Sequence, residues 1–372
     1  MRLTQIREGS TDLFVPKKAI AHSKGPSTSK TGIFFNPVME FSRDVSVLVL
    51  GEFVKERKTK LLDGLAGTGA RGIRIGKEVK GDLHILINDH NPAAFELIEK
   101  NIALNGLKNC ESVNKKMNTL LSEEDFDYVD IDPFGSPVQF IDSSLQAIRT
   151  NGMIALTATD TAPLYGTYPK TCLRRYGARS LKTIYSKETG ARILTGYCVR
   201  LAAKYDIALK PILVFFIDHY IRAHFTVKKG AKRTDSALEN VGYLIHNHKS
   251  GERRVTRDIP KKKGDEKIVG PLWIGPLHEK SFLKKLEFDH GLGTAKRLGK
   301  LLDLWLEEAK LPPFFYDVNE IASITKTSPL RIRDVIEKLR GHGFSAGRTH
   351  FSPTGFKTDA GIGEIKRLVY GE

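Results

Sequence analysis

Cysteine is scarce in this chain, and the scarcity is informative. Cys110, Cys172 and Cys198 are the only three in 372 residues, too scattered for a disulfide framework or a CxxC metal site. Long apolar runs are missing as well. No stretch approaches the roughly 18 residues that cross a bilayer as a helix. Met1 to Pro16 holds acidic residues and no apolar core of the kind an export signal needs. These absences predict a soluble, cytoplasmic protein with no membrane partner. Disorder is excluded too, because 40% hydrophobic and 27% charged residues is ordinary globular composition.

Positive charge is what the chain has in excess. Lys+Arg number 59 against 43 Asp+Glu, a net charge of +16. Such an imbalance favours a polyanionic partner, since neutralising phosphates releases counterions. A Lys-rich surface of the thermophile kind, poor in Cys and Met, would give the same balance with no partner at all.

The length favours two domains. Residues 1–32 open with polar text and close on the Ser/Gly/Lys loop HSKGPSTSKTG; a helical stretch, Val38 to Val54, follows Phe34 and Phe35. From Thr59 strands and helices alternate: a strand running into a glycine-rich turn over 59–69, strands at 83–88 and 110–113, a strand in the first half of 126–137 that ends about Pro133, and strands at 153–158, 211–217 and 220–227, helices between. That alternation predicts an α/β fold, a doubly wound sheet with helices on both faces. After Val227 the text turns basic, with a hairpin expected around Gly242 to Val255 and a linker at Lys261-Lys262-Lys263-Gly264. Domains are therefore expected at 1–260 and 261–372. The second is a smaller α+β domain in which helices at 318–324 and 329–339, then a Thr/Phe-rich segment, read as helix-turn-helix plus wing.

Two stretches carry chemistry. Gly67-Thr68-Gly69-Ala70-Arg71-Gly72 matches G-x-G-x-x-G between a strand and a helix, and Asp89 ends the next strand, 22 residues after Gly67. This suits a nucleoside cofactor: glycines allow close backbone approach and the acid takes ribose hydroxyls. A dinucleotide and S-adenosylmethionine both fit. Asp63, just before the glycines, would oppose a pyrophosphate but orient an ammonium, which favours the second; a turn-capping carboxylate is its structural alternative. The other stretch is FDYVDIDPFGSP. Pro133 ends the strand, so Asp132 stands at its carboxyl edge, where ligands bind in open α/β sheets. Asp132 and freed carbonyls make an acceptor cluster, and Phe134 offers a flat face, a combination suited to an amino group on a planar ring. Taken alone, the stretch is better explained by a strand-ending Asp-Pro turn, which is common.

DGLAGTGARGIR, INDHNP and DIDPFGSP, with FFNPVMEFSRD upstream, resemble the tRNA guanine-26 N2-dimethyltransferase family. So do TDTAPLYGTYPKTCLRRYGAR, GPLWIGPLH and RTHFSPTGFKTDA, which extends the resemblance over nearly the whole chain. It implies a class I, Rossmann-like methyltransferase fold, S-adenosylmethionine as cofactor, and guanine-26 of tRNA as the target, methylated once and then again. Asp132, Pro133 and Phe134 match the catalytic motif. Gly67, Gly69 and Arg71 match the cofactor loop, Asp89 the ribose-binding acid, and Arg43 an arginine that meets the cofactor. Phe34 or Phe35 matches an aromatic that holds the flipped base. Lys116-Met117-Asn118 stands where the family usually has Asp-Ala-Asn, so the adenine contact is expected from backbone and Met117 packing. Some members carry a cysteine metal cassette before GPLW. Here the stretch has His246, Asn247 and His248 without cysteine, and no metal is expected.

Guanine N2 is a poor nucleophile because its lone pair is delocalised into the ring. Two acceptors, the Asp132 carboxylate and the carbonyl near Pro133, would bind its hydrogens and turn the lone pair toward the methyl group. Asp132 then accepts a proton late, as charge builds on N2. The second methylation needs one acceptor fewer, so two acceptors accommodate both rounds. The paired base must flip out and stack on Phe134, with Phe34 or Phe35 opposite. Lys170, Arg174, Arg175 and Arg179, beside Tyr165 and Tyr168, are candidates for phosphate contact; a solvated helix face would look similar, and the same two readings apply to Lys228, Lys229, Lys232 and Arg233. The rival classes are an NAD-dependent oxidoreductase and a non-catalytic RNA-binding protein.

Overall fold

The computed structural model describes residues 2–21, 32–55, 57–287 and 291–371. The Ser/Gly/Lys loop expected at 22–32 lies almost wholly outside them. The chain forms two compact units, one of Met1–Pro133, Gln139–Leu156 and Lys285–Lys300, the other of Phe134–Val138, Thr157–Lys284 and Leu301–Glu372.

The first unit opens on an antiparallel hairpin, β1 (Leu3–Glu8) with β2 (Thr11–Pro16). The polar text hid it, yet Leu13 and Val15 alternate into the core at 0% exposure. Asn36 caps the next element by accepting from the Val38 amide at 3.0 Å, and a 3-10 turn runs into the helix Glu40–Phe53. Five parallel strands follow: β3 (Thr59–Asp63), β4 (Leu83–Asn88), β5 (Cys110–Val113), β6 (Phe126–Ile131) and β7 (Ile148–Ala158), in the spatial order β5-β4-β3-β6-β7. All six residues of β6 are buried, as a parallel strand covered on both faces requires. The chain runs outward from β3 to β5, then returns to β6 and continues the other way. The reversal point therefore lies between the carboxyl ends of β3 and β6, the place where a crevice opens in such sheets. Asp63 ends β3 and Asp132 follows β6 there.

The second unit contains the helix Ser186–Ala203, the hairpin β8 (Ile207–Ile217) with β9 (Tyr220–Lys229), and a three-stranded sheet of order β11-β10-β12 (β10 Val241–His246, β11 Arg253–Thr256, β12 Lys267–Trp273). Val241 pairs with Trp273 and His246 with Lys267. The expected linker Lys261–Lys263 is thus a connection inside one sheet, and the boundary at 260/261 is corrected: strand pairing across it is continuous. Helices Val318–Thr325 and Ile332–Gly341 precede β14 (Ala346–Arg348) and β15 (Gly355–Thr358), with β13 (Tyr316–Asp317) completing the sheet. Ile321, Val335, Leu339 and Phe356 form their common core.

Candidate active site

The glycine loop is shaped by its own neighbours. Gly67 and Gly69 take φ of 57° and 76°, which side chains rarely adopt. A Cβ at Gly67 would stand 2.7 Å from the Phe34 carbonyl oxygen, and one at Gly72 would meet Ile87 at 2.7 Å. The first glycine therefore admits another backbone, and the last lets the helix Ala70–Glu78 close on β4. Asp89 accepts from the Gly67 amide at 2.8 Å and from the Asn91 amide at 2.9 Å. Asn88, which sequence reasoning passed over, is fully buried and ties two loops together. Its amide donates to the Gly64 carbonyl at 2.9 Å and its oxygen accepts from the Lys115 amide at 3.0 Å. Met117 packs so close to Gly64 that a Cβ there would lie 2.5 Å from it. Lys116 is exposed, and Asn118 donates to the Gln139 carbonyl at 3.1 Å.

Asp63 is 4% exposed and accepts from the Gly72 amide at 2.9 Å. Burial first, and Asp130 second, push its carboxyl up to about 7. The hydrogen bond bears on the choice of cofactor. A pyrophosphate sits on free amides at a helix N-terminus, but here the Gly72 amide is taken by a carboxylate. The surroundings are acidic, with Asp63, Asp130 and Asp132 on the two strand ends. These residues fit a cofactor that presents cationic groups here, and Asp89 at the end of the next strand fits a ribose.

Arg71 departs furthest from expectation. It is buried, and its guanidinium reaches past the loop to pair with Asp132 Oδ2. Asp130 and Asp132 hold its charge, raising its proton affinity against the cost of burial. Arg43 is buried as well. It makes a two-pronged ion pair with Glu8 at 2.6 and 2.7 Å and lies 5.1 Å from the Phe35 ring centroid. Phe35 is 3% exposed, which corrects its assignment as a base-holding aromatic: it is core beneath Arg43. Phe34 is half-buried and keeps surface to offer.

Beyond Pro133 the chain enters the second unit. Phe134 is 59% exposed, unusual for a ring that size. Its loop is pinned from behind. The Gly135 amide donates to Thr159 Oγ1 at 2.8 Å and the Thr159 amide returns to the Gly135 carbonyl at 3.0 Å. The Tyr176 hydroxyl lies 2.9 Å from Ser136 Oγ and donates to Asp160 at 2.7 Å. Lys170, Arg174 and Arg175 are exposed on the helix Pro169–Tyr176, and Arg175 pairs with that Asp160 at 2.9 Å. Asp130, Asp160 and Tyr176 went unread; for Asp130 the signal was a charge inside a wholly buried strand.

One grouping with metal-like spacing lies elsewhere in the second unit. His278, Glu308 and His350 have ligand atoms within 4.8 Å of one another. The Phe216 amide donates to His350 Nε2 at 3.3 Å, which leaves the proton on Nδ1 to donate to Glu308 at 2.6 Å. Lys357 adds a cation 2.7 Å from the same carboxylate. Glu308 is thereby satisfied by hydrogen bonds, and burial pushes His278 down to about 4, hence neutral.

A five-stranded parallel core with an acid-lined glycine loop at its reversal point defines a Rossmann-like, nucleoside-cofactor methyltransferase fold. The profile of the N2,N2-dimethylguanosine tRNA methyltransferases matches residues 9–370, and the chain belongs to that family. The tRNA (guanine(26)-N(2))-dimethyltransferases of Methanothermobacter thermautotrophicus and Methanococcus maripaludis are each 38% identical to it, over 98% of this chain and 98% and 97% of theirs. The structure of Trm1 from Pyrococcus horikoshii with S-adenosyl-L-methionine aligns over 98% of this chain and 99% of its own, at 32% identity and a TM-score of 0.87.

Proposed function

We propose that this protein transfers methyl groups from S-adenosylmethionine to the exocyclic N2 of guanine-26 in tRNA, once and then again. The observation that carries the reading is Asp132, at the reversal point beside a glycine loop whose helix amide is already taken by an acid. The same observation disfavours the oxidoreductase, which needs that amide for a pyrophosphate.

S-adenosylmethionine supplies, when bound, a methyl group on a positively charged sulfur that leaves as a neutral thioether. Asp89 would hold its ribose and Asp63 its ammonium, with Gly67, Gly69, Met117 and the backbone of Lys116 and Asn118 around the rest. Arg43 supports this wall through Glu8. Asp132 Oδ2 is engaged by Arg71, whereas Oδ1 has no partner among the described residues. Oδ1 therefore accepts a hydrogen from N2, the Pro133 carbonyl takes the other, and the lone pair is aimed by two acceptors. As positive charge builds on N2, Asp132 receives the proton and passes it to water. Phe134 provides a face on which an extruded guanine stacks. Lys170 and Arg174 contact phosphates, and the segment from Val318 onward docks tRNA. No helix among the described residues is long and apolar enough to cross a membrane, and we place the reaction in the cytoplasm, with tRNA.

The test is labelled S-adenosylmethionine with an unmodified tRNA transcript, its nucleosides resolved by mass. N2-methyl- and N2,N2-dimethylguanosine at position 26 are expected, and Asp132→Ala is expected to slow transfer about 100-fold or more. Label on another base, or an Asp132→Ala enzyme of near-normal rate, would overturn the assignment.

A further inference from the structure

Arg71 stands in the cofactor loop by sequence, yet its guanidinium is built into a different assembly. It is 6% exposed. One edge pairs with Asp132 Oδ2. Nη1 donates to Ser46 Oγ at 2.6 Å and to the Ser42 carbonyl at 3.3 Å, both on the helix Glu40–Phe53. Nε lies 3.6 Å from Asp130 Oδ1, and Asp130 is held in turn by the Tyr128 hydroxyl, which donates to Oδ2 at 2.6 Å. The guanidinium is thus fixed from helix and strand at once, and its planar fork transmits that orientation to whatever carboxylate it binds.

We infer, on the reading of the preceding section, that Arg71 is the positioning residue of the reaction: it clamps Asp132 by Oδ2 and so presents Oδ1 to the guanine amine. Asp132 sits at a strand end before a proline, and its side chain has no other partner among the described residues to select a rotamer. Without the clamp the acceptor would sample several orientations, and an angstrom of misplacement in an in-line transfer costs on the order of 100-fold. The clamp also serves both rounds, since the first methyl alters N2 and leaves the Asp132–Arg71 geometry untouched. Arg71 acts through Asp132 and need not touch substrate.

A double-mutant cycle tests this. The full-length protein carrying R71Q, R71K, D132N or R71Q/D132N is compared with wild type for the single-turnover rate at saturating cofactor and tRNA transcript. The affinity for S-adenosylmethionine is measured in parallel by calorimetry. R71Q is expected to slow transfer about 100-fold with cofactor affinity changed little, R71K to recover part of the rate, and R71Q/D132N to be no slower than D132N alone. Losses that multiply in the double variant would overturn the inference. So would an R71Q defect matched by an equal loss of cofactor affinity, which would make Arg71 a cofactor ligand. Should R71Q fail to fold, R71K with R71K/D132N gives the same comparison. A wild-type protein that binds cofactor but methylates no tRNA would count against the functional reading, a result distinct from either of these.

Discussion

At the residue scale Asp63 is the clearest switch. Its ordinary value is 3.8, and burial and Asp130 raise it to about 7. The folded state therefore holds this proton more tightly than the unfolded chain does. Asp63 contributes stability that is fully present below about pH 4 and is lost as pH rises through 7. On the proposed placement of the cofactor's ammonium at Asp63, binding runs the opposite way, because an ammonium favours the ionised carboxylate. Affinity for S-adenosylmethionine is expected to rise between pH 6 and 8 with release of a proton. Calorimetry in two buffers of different ionisation enthalpy measures that proton, and Asp63→Asn should abolish the release. Gly67→Ala makes a second prediction at this scale. A φ of 57° and a Cβ 2.7 Å from the Phe34 carbonyl predict a loss of about 1–2 kcal/mol or more, read from denaturant unfolding, together with weaker cofactor binding. Gly67 and Asp89 were legible because their spacing is a pattern in one dimension. Asn88 and Asp130 were not, because their partners, Lys115 on the one hand and Tyr128 and Arg71 on the other, are defined by sheet register and helix packing.

At the scale of elements, the helix Glu40–Phe53 shows how charge is accommodated inside. Nine consecutive-turn positions of it are buried, among them Arg43 and Asp44. Asp44 meets Arg74 of the glycine-loop helix at 2.6 Å with both side chains fully covered, and Arg74 continues to Glu78 at 2.8 Å. Without Asp44, Arg74 keeps Glu78 but loses its shortest ion pair, and the Thr294 amide and hydroxyl lose their acceptor, so Asp44→Ala is expected to cost about 2–3 kcal/mol, measured by urea unfolding, with the glycine loop loosened through Arg74. A sequence shows such residues as polar interruptions of an apolar face. The hairpin β1–β2 was missed for the same reason: Glu8 reads as surface until Arg43, well along the chain, is known to meet it. The strands β3 to β7 were legible because apolar runs between turn signals need no partner to be identified.

For the whole molecule, the net charge of +16 predicts tRNA binding that weakens steeply with salt. Lys170, Arg174 and Arg175 are all exposed; Arg174 donates to the uncharged Thr171 Oγ1 at 3.2 Å, whereas Arg175 is paired with the Asp160 carboxylate. Lys170→Ala with Arg174→Ala should reduce the slope of log affinity against log salt by roughly 1.5, about 0.7–0.9 per phosphate contact. Arg175→Ala should change it less, and an unaltered slope in the double variant would remove that helix from the RNA surface. The mapping of basic residues was legible as a cluster, but which of them are free for phosphate was not, since an ion pair such as Arg175–Asp160 joins residues 15 apart through the way a loop packs.

By itself the sequence determined the alternation of strands and helices, the glycine loop, and the acid at each strand end, because local propensity, turn chemistry and spacing are written along the chain. Tertiary structure decided the rest: that Lys261–Lys263 joins strands of one sheet, that Phe35 is core while Phe34 and Phe134 keep surface, and that Arg71 belongs to Asp132. Each of these depends on which side chains reach one another across elements, and burial and pairing of that kind arise only when the elements pack.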